Sequence, residues 1–84
     1  MTFLVTKYEN YHRSIVDSYE DYDVAKTKVE ELVRLHRVIY GRNNTISRVE
    51  NSASRCLYKA EIREVTHEAG LVVDLYCIER DSND

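Results

Sequence analysis

The stretch DYDVAKTKVEELVRLHRVIY, residues 21–40, decides the fold. Apolar, small or aromatic side chains recur at Tyr22, Ala25, Val29, Leu32, Val33, His36, Ile39 and Tyr40, the three- and four-residue spacing of one helical stripe, and Leu35 and Val38 widen it. Ser18 followed by Asp21 resembles a capping box with aspartate in place of glutamate. Glu20, Asp21 and Asp23 suit the positive end of a helix, and Arg34 and Arg37 the negative end. Gly41 follows where a left-handed C-terminal residue belongs. Twenty residues at about 1.5 Å each span about 30 Å, enough to cross a small sheet.

Downstream the period changes from helical to two. Cys56, Tyr58, Ala60 and Ile62 alternate with Lys59, Glu61 and Arg63, and Leu71, Val73, Leu75 and Cys77 form a second alternating face. Bringing these two faces together selects a four-residue loop over residues 67–70, with Ala60 opposite Cys77 and Ile62 opposite Leu75. That register places Cys56 about 13 Å along the strand from the position opposite Cys77, so two free, partly buried thiols are predicted rather than a disulfide.

Upstream, residues 3–8 and 11–16 are rich in strand-forming types and predict a hairpin. Between helix and C-terminal hairpin, the polar residues 42–54 hold one short candidate strand at residues 46–49. The fold class is therefore α+β: a single small domain over residues 1–84, order ββαββ. An antiparallel sheet of about four strands carries one amphipathic helix on one face. Tyr19, Tyr58 or Tyr76 is expected near the uncovered face, and a homodimer through that face or an edge is expected.

The chain has 84 residues, 43% hydrophobic and 32% charged, with no proline. This is the profile of one folded domain with a small core. No apolar run approaches the ~20 residues of a membrane span and the N-terminus lacks a signal-peptide pattern, so a cytoplasmic protein is expected, with no membrane partner.

The net charge of -3 is unevenly spread. Residues 34–63 hold Arg34, Arg37, Arg42, Arg48, Arg55, Lys59 and Arg63 against Glu50 and Glu61, whereas both flanks are acidic. Arginine's planar fork matches carboxylates and phosphates, which makes this block the candidate contact surface. Arg37, Tyr40, Arg42, Arg48 and Arg55 are its expected partner-binding residues. Seven tyrosines without a tryptophan add contact area with polar tips, and about half of them are expected to be exposed.

The classes that need a motif find none. His12, His36, His67, Cys56 and Cys77 lack the close spacing of a structural metal site. No Gly-x-Ser-x-Gly turn or Gly-rich phosphate loop is present, and Glu61, Glu64 and Asp74 fall on strand positions read as solvent-facing. No catalytic residue, cofactor or metal is implied.

The expectation is a small non-enzymatic interaction protein, a regulator or inhibitor that binds another protein through a Tyr/Arg-rich surface. Its size and lack of motifs fit an accessory protein of viral or mobile-element type. One alternative is an anion, nucleotide or nucleic-acid binding module using the arginine block, although a pI near 5.6 opposes a nucleic-acid backbone. Another is an acidic mimic of nucleic acid.

Overall fold

The computed structural model describes residues 1–9, 11–40, 44–64 and 72–81. Strands β1 (Phe3–Glu9) and β2 (His12–Tyr19) precede the helix α1 (Tyr22–Tyr40), and β3 (Asn44–Glu50), β4 (Cys56–Glu64) and β5 (Val72–Arg80) follow it. The five strands form one antiparallel sheet in the order β2-β1-β5-β4-β3. The α+β class holds, and the short strand expected at residues 46–49 extends to all of β3, giving ββαβββ.

The last strand lies in the middle. β5 pairs with β1 on one side and β4 on the other, and the Asp81 amide donates to the Thr2 carbonyl at 2.9 Å. The helix links edge strand β2 to edge strand β3. Four strand spacings of about 4.8 Å make roughly 19 Å, so a helix of about 28 Å connects the edges by lying obliquely over the sheet.

Asp21, not Ser18, caps the helix. Its Oδ1 accepts the amides of Asp23 at 2.8 Å and Val24 at 3.4 Å, while Ser18 belongs to β2. Replacing Asp21 with alanine orphans those donors at the helix start, and urea denaturation should show a loss of about 1 kcal/mol. An unchanged midpoint would mean that water serves the helix end equally well.

Ala25, Val29, Val33 and His36 are buried along the helix, against Val5, Tyr58, Ala60, Ile62, Tyr76 and Ile78 of the sheet. The stripe read from the sequence was too wide. Leu35, Val38 and Ile39 are exposed, because at 100° per residue Val38 falls nearly opposite the line through Ala25, Val29, Val33 and His36.

The hairpin register also differs from the expectation. Ala60 faces Tyr76, Ile62 faces Asp74 and Lys59 faces Cys77, one residue away from the predicted pairing. Residues 67–70, the expected loop, lie outside the described residues. The shift exchanges the faces of β5, so that Tyr76 and Ile78 enter the core while Leu75 and Cys77 point to the open side. A bulge between Cys56 and Tyr58 does the same to the start of β4. Leu57 and Tyr58 are both buried, and Cys56 turns to the open face.

Tyr19, Tyr58 and Tyr76 therefore lie on the helix side, not on the uncovered face, with Tyr58 and Tyr76 buried and Tyr19 packed against the core. Among the six tyrosines whose side chains are described, only Tyr11 is fully exposed, at a turn with φ of 64°. The expectation that half would be exposed fails, since the sheet needs large side chains beneath a single helix.

Candidate interaction surface

The second half of α1 brings apolar and cationic side chains to one outward face. Leu35, Val38 and Ile39 are 47%, 75% and 69% exposed, and their i, i+3 and i+4 spacing makes them neighbours on the helix surface. Arg34 and Arg37, both exposed, flank them on the side that faces β3. The Arg37 Nη2 donates to the Asn44 carbonyl at 3.3 Å, which ties the end of the helix to the start of β3. Between helix and strand runs a groove of about 230 Å³ lined by Val33, Arg34, Arg37, Ile46, Arg48 and Glu30.

Arg48 is committed within the chain. Its Nε and Nη2 donate to the two carboxylate oxygens of Glu30 at 2.8 and 2.7 Å, a bidentate fork across the helix–sheet seam. The Tyr58 hydroxyl donates to the same carboxylate. The Arg48 fork holds Glu30 below the usual carboxylate range. Burial, reinforced by Glu30, pushes the Tyr58 hydroxyl up to about 12. One turn earlier, Lys26 at 3.0 Å and the Tyr22 hydroxyl at 2.8 Å both donate to Glu50. These bonds fix the helix on β3 and β4 and so fix the direction of its outer face.

The residues singled out from the sequence do not form one patch. Arg37 and Arg48 share the groove, while Arg55 sits in the turn before β4 and points to the opposite face, 3.5 Å from Glu79. Tyr40 ends the helix, and Arg42 lies outside the described residues. Sequence reading assigned Leu35, Val38 and Ile39 to the core and placed Arg34 in the basic block without naming it among the partner-binding residues. The signal was present: in the last two turns apolar residues surround the helix, and a helix packed on one face cannot bury them all.

The open face of the sheet is organised around Glu79, which is 2% exposed. Its carboxylate accepts bonds from Thr6 at 2.7 Å, Tyr8 at 2.8 Å and Arg13 at 3.4 Å. Burial acts to raise its pKa, but these three bonds outweigh burial and hold it below the ordinary value. On β4, Lys59 and Arg63 flank Glu61 at 3.2 and 3.0 Å. Sequence reading gave Asp74 a solvent-facing position, yet it is buried on the helix side, 2.8 Å from the His36 Nε2. Burial there pushes its pKa up, against the pull of Lys7 and His36. The Lys59–Glu61–Arg63 row follows from the alternation of β4, whereas Glu79 and Asp74 meet partners from elements far along the chain, which no local pattern reveals.

At the opposite end from His36, a cleft of about 480 Å³ lies between Phe3, Tyr22, Leu57 and Arg80. Phe3 and Tyr22, both in its lining, meet edge to face with ring centroids 5.7 Å apart. Among the described residues no group of three or more His, Cys, Asp or Glu side chains could hold a metal ion, and no helix is long and apolar enough to cross a membrane. Comparison with protein-family models, with curated proteins and with solved structures gives no match.

Proposed function

We propose that this chain is a small non-enzymatic interaction protein that engages an acidic protein partner through the second half of α1. The observation that carries the reading is the exposure of Leu35, Val38 and Ile39 as one contiguous strip with Arg34 and Arg37 along its border. An amphipathic helix presenting apolar anchors at i, i+3 and i+4 fits an apolar groove on another protein. Flanking arginines match carboxylates at the rim of such a groove, steer association and set its salt dependence.

The anion-binding reading has less support, because Arg48 is already held by Glu30 and Arg55 stands on the opposite face beside Glu79. An acidic mimic is weaker still, since Glu30, Glu50, Glu61 and Glu79 are each engaged by a cation of the chain itself.

Affinity capture from lysate of the source organism, with and without nuclease, tests the reading with four forms of the chain. Wild type and an Arg55→Glu control should recover the same protein regardless of nuclease. The double variant Val38→Glu, Ile39→Glu should lose it, and Arg34→Glu, Arg37→Glu should release it at lower salt. Recovery that survives the Val38 and Ile39 changes, that depends on nucleic acid, or that wild type never gives, overturns the proposal.

A further inference from the structure

Two thiols that sequence reading kept far apart are neighbours. The bulge between Cys56 and Tyr58 turns Cys56 to the open face, where it stands opposite Glu79 on β5. Cys77 lies two residues from Glu79 on the same strand and points the same way, which makes it the diagonal neighbour of Cys56. Diagonal partners in a flat sheet are ~7–8 Å apart, just beyond the ~7 Å a disulfide spans without backbone movement. A bulge increases the local twist, and the two free thiols are close enough to influence each other, while the Cys56 Sγ donates to the Tyr58 carbonyl at 3.2 Å. Closing the bridge therefore takes side-chain rotation together with a small backbone adjustment at the β4 bulge.

The two sulfurs differ in access and in chemistry. Cys56 is partly exposed on the side of the sheet that no helix covers, whereas Cys77 is 3% exposed. The hydrogen bond from Cys77 holds the Cys56 thiol below its ordinary pKa despite burial, with help from the Ile78 amide and the Lys59 charge. The same bond together with burial pushes the Cys77 thiol up. A low-pKa, reachable sulfur beside a protected one is the arrangement of an attacking and a resolving thiol.

We infer that Cys56 and Cys77 form a redox-active dithiol that reacts with low-molecular-weight disulfides of the glutathione class and closes a reversible bridge between β4 and β5. The Cys56 thiolate attacks one sulfur of glutathione disulfide; that S–S bond breaks, and a glutathione thiolate leaves and takes up the proton Cys56 released. Cys77 then gives up its proton and attacks the Cys56 sulfur of the mixed disulfide, expelling the second glutathione, which carries that proton away. Two cysteines are oxidised by two electrons in total, and one glutathione disulfide is reduced to two thiols.

The full chain is incubated with glutathione disulfide in excess and followed by intact mass, with peptide mapping of the product. Wild type should lose two hydrogens as a monomer, with Cys56 joined to Cys77, and glutathione should restore the starting mass. Cys77→Ala should stop at one glutathione adduct on Cys56. Cys56→Ser should react more slowly by on the order of tenfold or more, because its remaining thiol is buried. Wild type that stays reduced, that accumulates glutathione adducts without closing, or that links between chains overturns the proposal. So does equal reactivity of the two single variants. The wild-type mass and map decide the matter even where Cys77→Ala fails to fold.

Discussion

Ile78→Ala is expected to remove about 2–5 kcal/mol of stability. Ile78 is fully buried in the central strand, directly between Val5 of β1 and Tyr58 of β4. Truncation there opens a cavity bounded on both sides by hydrogen-bonded strands, whose spacing of about 4.8 Å cannot contract to fill it. A chain of this length has roughly 4–13 kcal/mol in total, so the variant stands close to the unfolding threshold at 25 °C. Urea denaturation monitored by circular dichroism gives the value, with Ile78→Val as a graded control at about 0.5–1.5 kcal/mol. A loss from Ile78→Ala no larger than that of the valine variant would mean that this layer repacks freely, contrary to the close fit of helix and sheet.

The residue next to it should matter almost as much, on the other face. Glu79→Gln keeps the shape but replaces an acceptor-only carboxylate, which takes bonds from Thr6, Tyr8 and Arg13, with an amide whose NH₂ faces an Arg13 donor in either orientation. Hydrogen bonds to a charged group are worth about 1.5–3 kcal/mol, so a loss of about 2 kcal/mol at pH 7 is expected. The pH dependence identifies the cause. Glu79 has a folded pKa below the ordinary 4.5, so its contribution is complete above that value and is lost as pH falls through it toward the folded pKa. The gap between wild type and Glu79→Gln should therefore be widest at neutral pH and narrow steadily on acidification.

Asp74 works in the opposite sense. Burial raises its pKa above 3.8, so it lowers stability as pH rises from 3.8 through its folded value. The difference between variant and wild type isolates Glu79 from that background. A gap that stays constant from pH 7 to pH 3 would show that shape, not charge, is what Glu79 contributes.

Much of this architecture is written in local pattern. The three- and four-residue spacing between Ala25 and His36, the cation-rich end at Arg34 and Arg37, and the alternation from Tyr58 to Ile62 specify one helix and an antiparallel sheet. The structure returns a helix within a residue of the reading, and Ala60 and Ile62 on the buried face. Periodicity suffices there because it is a property of a single element, set by 3.6 residues per turn or two per pleat.

What the sequence left open turns on pairing between elements. One extra residue at the β4 bulge and a one-residue change in the β4–β5 register exchanged the faces of Cys56, Cys77, Tyr76 and Ile78, and no residue announces a bulge or a register by itself. The burial of Asp74 and Glu79 followed from His36, Thr6, Tyr8 and Arg13, which stand 38 to 73 positions away and meet them only once the last strand enters the centre of the sheet. The strip at Leu35, Val38 and Ile39 has the same origin: the sequence determined that the helix is apolar over most of its circumference near its end, and only packing on a single sheet decided which part faces water.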